Sequence, residues 1–400
     1  MTADEFAPLL AGIDRLETEA EFRARLAESR RAGRPLRVKL GIDATGPDIH
    51  LGFAVPLRKL RQFQDAGHIA VLIVGDFTAR IGDPSGRSKT RPQLTDEEIR
   101  LNVARYREQA FRILDPDRCE IRYNSEWSDP LRGADVVDIA ARYTVARILE
   151  REDFRRRLDE NAPVHVHELL YPLFQGYDSV AVRADVELGG ADQYWNLLVG
   201  RELQREYGQQ PQVVMTLPLL VGLDGKLKMS KSYGNYVAIT DPPAEMFGKL
   251  MSVPDTLMPD YFALAAGTNP QEIRRVMARL EAGENPRTIK TELARRVVTI
   301  YHSADDAEQA VTQFDRVFRD RGLPEDMPER HLPSEGVNIV ELIAAAGLLP
   351  SKSETRRKLA EGAVQLNGRR ITDPGFVVTS TGEAQVLKVG KRRFLRLTGA

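Results

Sequence analysis

Lysine side chains cluster in a short, glycine-bounded segment that can carry phosphate chemistry. The segment GLDGKLKMSKSYGN, residues 222–235, places Lys226, Lys228 and Lys231 within six positions. Ammonium groups on a loop that closes over a nucleotide can meet the negative charge that develops on a triphosphate during displacement at phosphorus. The plain alternative is a lysine-rich surface loop. The string KMSKS argues against that alternative because it follows a histidine at a strand-to-helix junction.

That junction lies about a domain's length earlier in the chain. DATGPDIHLGF, residues 43–53, runs from the predicted end of a strand into a helix whose first turn contains His50 and Gly52. Unpaired backbone N–H groups and the positive end of the helix dipole favour a phosphate there. Gly52 has no side chain, so a flat ring can lie against the helix. Taken alone, His50 is more often a helix cap or a surface residue than a catalytic group.

A third polar segment, GDPSGRSKT at residues 82–90, follows a buried strand and resembles a phosphate loop. The spacing between its glycines is one residue too short and Arg87 stands where the lysine belongs, so we reject that assignment. No G-x-G-x-x-G follows a strand, which excludes the common dinucleotide fingerprint. What remains is a ligand-binding loop at the carboxyl end of a strand, with Asp83 and Arg87 on it.

The spacing of apolar residues predicts a parallel sheet that positions these segments. Residues 37–43 and the apolar run Ile69–Gly75 are predicted strands, and the helix predicted over 50–67 gives them the length of a right-handed crossover. The alternation continues with helices over 95–114 and 191–207 and strands over 183–188 and 212–217. We therefore expect an α/β fold with a Rossmann-like, doubly wound catalytic domain over residues 1–225.

The rest of the chain predicts three further segments. Helical patterns replace strand signals after the lysine segment, so residues 226–321 are predicted to hold that loop and a helical domain. Residues 322–336 carry three prolines, two glycines and several charges without an apolar period, which predicts an exposed linker. Residues 337–400 predict two short helices and several strands, a small α+β domain with a hairpin turn at Asn367-Gly368.

Composition limits the class of protein. A chain of 400 residues that is 42% hydrophobic and 29% charged is predicted to be globular, with two or three domains, and not disordered, collagen-like or a disulfide framework. The single Cys119 allows no intramolecular disulfide and is predicted to lie in the core. Asp4 and Glu5 spoil a secretory signal, and the longest apolar run is too short to span a bilayer. We expect a cytoplasmic protein.

The net charge of −1 hides an asymmetry along the chain. Residues 351–400 carry eleven Lys and Arg against four Asp and Glu, a net charge of +7, which leaves −8 for the first 350 residues. A compact basic segment on an acidic body favours contact with a polyanion such as nucleic acid. The alternative is a solvated charged surface.

Several separated motifs resemble class I aminoacyl-tRNA synthetases. HLGF and KMSKS resemble the paired signature of that family. The strings KLGIDATGPDIHLGF, IGDPSGRSKTRP, YPLFQGYDSV and GGADQYWN closely resemble bacterial tyrosyl-tRNA synthetases, which also have a helical anticodon-side domain. SETRRKLAEGAVQLNG resembles their small C-terminal RNA-binding domain, a type first described in a ribosomal small-subunit protein, so the resemblance spans essentially the whole chain.

The resemblance implies a tyrosine–tRNA ligase. It implies that ATP, with Mg²⁺ as the counterion of its phosphates, activates L-tyrosine to tyrosyl-adenylate, and that tyrosine then passes to the 3′ end of tRNA(Tyr). No tightly bound prosthetic group and no protein metal site are implied. A homodimer is implied by the resemblance alone.

The resemblance also implies roles for individual residues. Tyr171, Gln175 and Asp178 fall at i, i+4 and i+7 on one helix face and would line the amino-acid pocket, where Asp178 would accept the phenolic hydrogen. Without the other motifs, they would be read as a polar helix stripe. The other residues implied for tyrosine are Asp43, Asp83 and Gln193. The residues implied for ATP are Gly41, Thr45, His50, Gly52, Gly190, Asp192 and Lys231. The residues implied in the chemistry are Thr45, His50, Arg87, Lys228 and Lys231.

Two positions depart from the family's pattern. Phe53 stands where the signature has its last histidine, which removes one imidazole donor to the polyphosphate, and we expect an altered balance of rates with activity retained. Lys39 stands where many members place a tyrosine that shares the phenol contact with Asp178. The sequence therefore assigns no second partner to the phenolic hydroxyl.

Other conspicuous residues are predicted to be structural. His165 and His167 with Glu168 hint at metal ligands, but histidines at i and i+2 are predicted to diverge on a helix, which favours a structural or surface role. Trp127 and Trp195 are predicted to pack and not to bind a ligand.

Two other functions stay open at this point. A tryptophanyl-type synthetase would use the same scaffold, although Asp178 on the face of Tyr171 and Gln175 favours a ring that bears a hydroxyl. A catalytically weak paralogue would bind structured RNA through its basic segment. The intact KMSKS string and His50 argue against it.

Overall fold

The computed structural model describes residues 7–43, 48–85, 95–318, 327–333, 335–381, 384–390 and 393–398. Two compact units divide the chain, the first ending at Ala307 and the second beginning at Glu308. Within the described part, every helix is too short or too polar to cross a membrane. The boundaries predicted at residues 225/226 and 321/322 remain predictions.

A six-stranded sheet forms the centre of the first unit. Its strands are β1 Arg15–Glu17, β2 Arg37–Asp43, β3 Ile69–Gly75, β4 Cys119–Tyr123, β5 Val186–Gly190 and β6 Val213–Leu217. Their order is β1-β6-β5-β2-β3-β4, with β2 to β6 parallel and β1 antiparallel to β6. The order reverses between β2 and β5, so a crevice opens at their carboxyl ends. The predicted α/β class with a doubly wound parallel sheet is confirmed; β1 and β4 were not predicted.

Helices flank this sheet. Those before its fifth strand are α1 Ala7–Leu10, α2 Glu19–Ala32, α3 Leu51–Asp65, α4 Thr78–Ile81, α5 Asp96–Ala110, α6 Ser125–Ser128, α7 Gly133–Ala141, α8 Val145–Ile148, α9 Glu152–Asp159 and α10 Val166–Val182. Those that follow are α11 Tyr194–Glu206, α12 Pro243–Leu250, α13 Met258–Asp260, α14 Pro270–Glu281, α15 Pro286–Tyr301 and α16 Ala304–Phe318. The helical run predicted after the lysine segment is therefore confirmed.

Two predicted boundaries in the first unit are wrong by a few residues. The strand predicted from residue 183 begins at Val186, because Arg183 adopts a left-handed conformation with φ of 50° that ends α10. The helix predicted from residue 191 begins as a 3-10 turn, Ala191–Gln193, and becomes α-helical only at Tyr194. Apolar periodicity does not indicate either change, because both depend on the local backbone conformation.

The second unit has a core of its own. Its elements are β7 Glu329–His331, β8 Val337–Asn338, α17 Ile339–Ala345, α18 Lys352–Ala360, β9 Val364–Leu366, β10 Arg369–Ile371, β11 Val377–Val378, β12 Gln385–Val389 and β13 Arg393–Thr398. Five strands form one sheet in the order β10-β9-β12-β13-β7, and β8 pairs with β11. Asn367 and Gly368 both have positive φ between β9 and β10, which confirms the predicted hairpin turn.

The predicted linker over residues 322–336 is wrong for its second half. Glu329–His331 pairs in parallel with β13, and Leu332 is 1% exposed in the core of the second unit. A strand of three residues is too short to give an alternating pattern, and the flanking prolines obscured it. Residues 322–326 of that linker lie outside the described residues.

Candidate active site

A cavity of about 250 Å³ lies at the crevice between the carboxyl ends of β2 and β5. It brings together nearly all the residues that the sequence implied for the two substrates. They are Gly41, Asp43, His50, Gly52, Asp83, Tyr171, Gln175, Asp178, Gly190, Asp192, Gln193, Lys228 and Lys231. The remaining two, Thr45 and Arg87, lie outside the described residues. Segments far apart in the sequence therefore meet in one site.

A short backbone pairing joins the histidine segment to the lysine segment. His50 and Ala238 form an isolated antiparallel bridge. On either side of it, the N–H of Leu51 donates to the carbonyl of Val237, and the N–H of Ile239 donates to the carbonyl of Ile49, each at 2.9 Å. The chain that leaves the lysine loop is thus fixed at the start of α3.

His50 is the N-cap of α3. Its Nδ1 accepts a hydrogen bond from the backbone N–H of Phe53 at 3.2 Å. Burial, followed by the ammonium groups of Lys231 and Lys228, lowers the pKa of His50 to about 3. The imidazole is therefore neutral at pH 7, and because Nδ1 is an acceptor, Nε2 carries the hydrogen. His50 combines the capping role with a position in the cavity lining, where that hydrogen can be donated.

Gly52 lies where the chain leaves little room for a side chain. A Cβ at Gly52 would lie 3.2 Å from Nδ1 of His50 and 3.3 Å from Cβ of Met229. The Gly52 N–H donates to the sulfur of Met229 at 3.4 Å. The lysine loop therefore rests against the first turn of α3, where the sequence implied an ATP contact.

The ammonium groups of the lysine loop already contact polar groups of the cavity. Lys228 forms an ion pair with Asp192, and the Lys231 ammonium contacts the phenolic oxygen of Tyr106. The same ammonium lies 4.8 Å from the centre of the Tyr106 ring, within the range of a cation–π interaction. Tyr106, on α5, had no signal in the sequence, because its partner lies on a different segment.

Asn235 holds the lysine loop in shape. Its Nδ2 donates to the Asp224 carboxylate at 2.9 Å and to the carbonyl of Lys228 at 3.2 Å, and its Oδ1 accepts from the N–H of Ser230 at 2.8 Å. A Cβ at Gly222 would lie 2.2 Å from Nδ2 of Asn235, so this position needs glycine. One asparagine thus fixes the backbone from which both lysines extend.

One part of the cavity is anionic. Asp83 accepts from Nε2 of Gln193 at 2.9 Å and from the N–H of Ser85 at 2.8 Å. Burial alone would raise the pKa of Asp83, but the bonds from Ser85 and Gln193 and the charge of Arg151 outweigh it and lower the pKa below its usual value. An ionised carboxylate in a cavity is a partner for a cationic group.

Two further acceptors on α10 and β2 line the same cavity. The phenol of Tyr171 donates to Oδ2 of Asp43 at 2.9 Å, and Oδ1 of Asp43 accepts from the hydroxyl of Thr78 at 2.8 Å. Among the described residues, the buried Oε1 of Gln175 has no hydrogen-bond partner. An unpaired acceptor is costly to bury, so this oxygen is suited to a donor carried by a ligand.

Asp178 presents a second carboxylate to the cavity. It is 3% exposed and accepts from Nε1 of Trp127 at 2.8 Å and from Nδ2 of Asn124 at 3.4 Å. Burial raises the pKa of Asp178 to about 7, while the charge of Lys39 and the two hydrogen bonds act in the opposite direction. Trp127 packs against a buried apolar cluster that includes Val71, as predicted, and its indole N–H also donates to this carboxylate.

Lys39 lies outside the cavity lining and is fully buried beneath α10. Its Nζ lies 2.8 Å from Oε1 of Glu187 and donates to the carbonyl of Gln175 at 2.9 Å and the hydroxyl of Ser179 at 2.8 Å. The lysine at this family position therefore does not extend into the pocket.

The predicted divergence of His165 and His167 is wrong. Their rings stack, with centroids 5.7 Å apart and planes at 17°. His165 is the N-cap of α10 in an extended conformation, so the helical spacing assumed for i and i+2 does not apply. Within the described ranges, no group of three or more His, Cys, Asp or Glu side chains is placed to hold a metal ion.

The parallel sheet, the cavity at its carboxyl edge and the lysine loop against the first turn of α3 define a nucleotide-using enzyme of the Rossmann class. A family profile described as tRNA synthetases class I (W and Y) matches residues 31–319, and one described as tyrosine–tRNA ligase SYY-like C-terminal domain matches residues 320–397. The chain belongs to this family of class I tRNA synthetases.

Curated relatives match nearly the whole chain. The tyrosine–tRNA ligase of Bordetella avium is 53% identical over 96% of this chain and 94% of its own length. That of Thermotoga maritima is 51% identical over 100% of this chain and 98% of its own length.

Solved structures share the fold at lower identity. A C-terminally truncated mitochondrial tyrosyl-tRNA synthetase from Aspergillus nidulans has a TM-score of 0.64 at 20% identity, covering 78% of this chain and 93% of its own. Tyrosyl-tRNA synthetase from Archaeoglobus fulgidus, complexed with L-tyrosine, has a TM-score of 0.62 at 23% identity, covering 76% and 98%.

Proposed function

We propose that the chain is a tyrosine–tRNA ligase whose cavity activates L-tyrosine with ATP. The tyrosine carboxylate attacks the α-phosphorus of ATP, pyrophosphate leaves, and a hydroxyl of the terminal adenosine of tRNA(Tyr) then attacks the tyrosyl-adenylate. No side-chain nucleophile is required, so catalysis consists of positioning and of stabilising charge.

The observation that carries the proposal is that the cavity lining includes two different carboxylates. Asp83 is held ionised, which suits the α-ammonium group of an amino acid, and the unpaired Oε1 of Gln175 can accept a further N–H. Asp178, oriented by Trp127 and Asn124, can accept the hydrogen of a phenol. Bound phenylalanine would offer Asp178 no hydroxyl, which leaves a buried polar group short of a partner.

The other residues of the cavity suit ATP. The first turn of α3, with Gly52 and the Nε2 hydrogen of His50, can take a phosphate, and Gly190 and Asp192 can take the ribose. Lys228 and Lys231 would leave Asp192 and Tyr106 and move onto the pyrophosphate as it departs. Thr45 and Arg87 complete this proposed site.

Magnesium belongs to the substrate in this proposal. It would arrive as the counterion of the ATP phosphates, which bind it in place of a protein cage.

The second unit is proposed to bind tRNA(Tyr). Its residues from Ser351 to Ala400 carry the net charge of +7, and positive charge that neutralises phosphates releases counterions. The helical anticodon-side role of residues 226–321 and the homodimer complete the proposal and rest on the family resemblance. The proposed cytoplasmic location rests on the single cysteine, which suits a reducing compartment.

Tyrosine-dependent exchange of pyrophosphate into ATP tests this function directly. Purified protein should catalyse the exchange with tyrosine and not with tryptophan or phenylalanine. Exchange that depends on tryptophan would instead identify a tryptophanyl-type enzyme. Salt-sensitive RNA binding without any exchange would identify an RNA-binding paralogue and overturn the proposal.

A further inference from the structure

Lys39 is a buried charge that contacts the helix carrying the proposed tyrosine site. Three oxygens lie within 2.9 Å of its Nζ, on Gln175, Ser179 and Glu187. A buried ammonium is costly unless it is paired; that of Lys39 donates hydrogen bonds to the Gln175 carbonyl and the Ser179 hydroxyl and lies within ion-pair distance of the Glu187 carboxylate. These contacts therefore fix the position of the Lys39 side chain and of the three groups that it contacts.

These contacts join three elements of the fold. Lys39 on β2 and Glu187 on β5 are cross-strand partners, whereas Gln175 and Ser179 lie one turn apart on α10. Pro172 lies within α10 and has no N–H, so one hydrogen bond of that helix cannot form. Lys39 ties the turn that follows this weak point to the sheet.

The Gln175–Ser179 turn of α10 is also closely packed against α11. A Cβ at Gly176 would lie 2.9 Å from Cδ1 of Leu203 on α11, and a Cβ at Gly200 would lie 2.9 Å from the hydroxyl of Ser179. Glycine at these positions lets the two helices approach closely. The packing of α11 and the contacts of Lys39 therefore fix the position of this turn together.

Lys39 also acts on Asp178 through its charge. The groups that face Asp178 are Lys39 from β2, Glu187 from β5, and Asn124 and Trp127, which follow β4. The Lys39 ammonium lowers the pKa of Asp178 and the Glu187 carboxylate raises it. Loss of the positive charge would therefore favour the protonated form of Asp178, which accepts a phenolic hydrogen less well.

We propose that Lys39 is a positioning residue for tyrosine binding, which fixes the Gln175–Ser179 turn of α10 so that Gln175 and Asp178 present their oxygens to the substrate. The inference rests on the proposed tyrosine site. It assigns a role to the residue that replaces the family's tyrosine: Lys39 acts from beneath the helix, through Asp178 and Gln175, and does not touch the phenol.

The variant Lys39→Met keeps the unbranched stem of the side chain, one atom shorter, and removes its charge. We expect the KM for tyrosine in pyrophosphate exchange to rise about tenfold, the value of one lost hydrogen bond to a charged group, with the KM for ATP unchanged within about twofold. We also expect the acidic limb of the pH profile of kcat/KM for tyrosine to move up by about one pH unit. A lysine that serves only stability would move neither quantity.

Lys59→Met is the matched control. Lys59 is also buried, at 4% exposure, but its Nζ donates to the carbonyls of Leu9 and Ala11 and it lies outside the cavity lining. It should lose stability and keep the KM for tyrosine within about twofold of the wild type. An equal rise in both variants would overturn the inference.

A second variant covers the case in which Lys39→Met fails to fold. Lys39→Met with Glu187→Gln removes both buried charges, so the uncompensated carboxylate is gone. Its KM for tyrosine should stay raised, because the tie to α10 is still missing; a return to within about twofold of the wild type would overturn the inference. Wild-type protein without tyrosine-dependent exchange would instead reject the proposed function, and the inference with it.

Discussion

Trp127 donates the hydrogen of its indole Nε1 to Oδ1 of Asp178 at 2.8 Å, although the two residues lie 51 positions apart. The guanidinium of Arg122 lies over the Trp127 ring, 5.5 Å from the centre of the ring. The indole is therefore held at its N–H and on one face. The carboxylate that is proposed to recognise the phenol is thereby oriented by a residue of α6, which follows β4.

Trp127→Phe should weaken tyrosine binding. The change keeps the aromatic ring and removes the N–H, which costs about 1.5–3 kcal/mol for a bond to a charged group, so the KM for tyrosine should rise at least about tenfold while the KM for ATP stays constant. Trp195→Phe is the control, because Trp195 is 41% exposed and outside the cavity lining. Equal KM values for tyrosine in the two variants would contradict a role for the indole N–H.

The pKa of Asp178 makes stability depend on pH. Its folded-state value of about 7 lies above the usual value for an aspartate, so the contribution is full below the unfolded pKa and is lost as the pH rises through 7. The unfolding free energy of the wild type, relative to Asp178→Asn, should fall by roughly 2 kcal/mol between about pH 5 and 8. Chemical denaturation at several pH values measures it; a difference that stays constant with pH would refute it. The exposed Asp159→Asn provides the control.

The two ring nitrogens of His50 have different roles, because Nδ1 caps α3 and Nε2 carries a hydrogen that can be donated. Asn is also a good N-cap, so His50→Asn should leave the free energy of unfolding within about 0.5 kcal/mol of the wild type, whereas His50→Ala should cost about 1 kcal/mol. Both variants lose the Nε2 donor, and the rate of pyrophosphate exchange should fall about 10²-fold in each. If His50→Asn catalyses pyrophosphate exchange at the wild-type rate, His50 serves only as the N-cap of α3.

Much of the site was predictable because its signals are local. The trio on α10 was implied by the family resemblance, and its spacing of i, i+4 and i+7 predicted that it shares one helix face; the strand Ile69–Gly75 was found from its unbroken apolar run. The lysine segment was likewise recognised from its own residues, because glycines bound it and three lysines lie within six positions. Each of these features lies in one short stretch of chain, where the backbone period determines the direction of the side chains.

The partners of those residues were not predictable. Tyr106, Trp127 and Glu187 reach the site from other elements, and no spacing within their own segments indicates a hydrogen bond to a residue elsewhere in the chain. Lys39 was conspicuous by type, yet its direction depends on which face of β2 is covered by α10. Short strands such as Glu329–His331 exist only through their pairing partners.

Lys231→Ala should slow adenylate formation without affecting tyrosine binding. Loss of one preorganised charged donor costs about 3 kcal/mol in the transition state, and free tyrosine does not contact the lysine loop in the proposed complex. Lys226→Ala is the control from the same loop, because Lys226 is exposed and outside the cavity lining. Exchange by Lys231→Ala within about twofold of the wild-type rate would count against the assignment.

Removal of the second unit after Phe318 should separate the two steps of the reaction. A chain that ends at Phe318 keeps α16 whole and loses the basic segment together with the core that begins near Leu332. Pyrophosphate exchange should continue, because the lining of the cavity extends no further than Ser232. Charging of tRNA(Tyr) should fall, most strongly at low salt, and the difference from the full-length chain should shrink as the salt concentration rises, because the truncated chain makes fewer phosphate contacts and its binding depends less on salt. Charging that stays within about twofold of the full-length rate at every salt concentration would remove the second unit from tRNA binding.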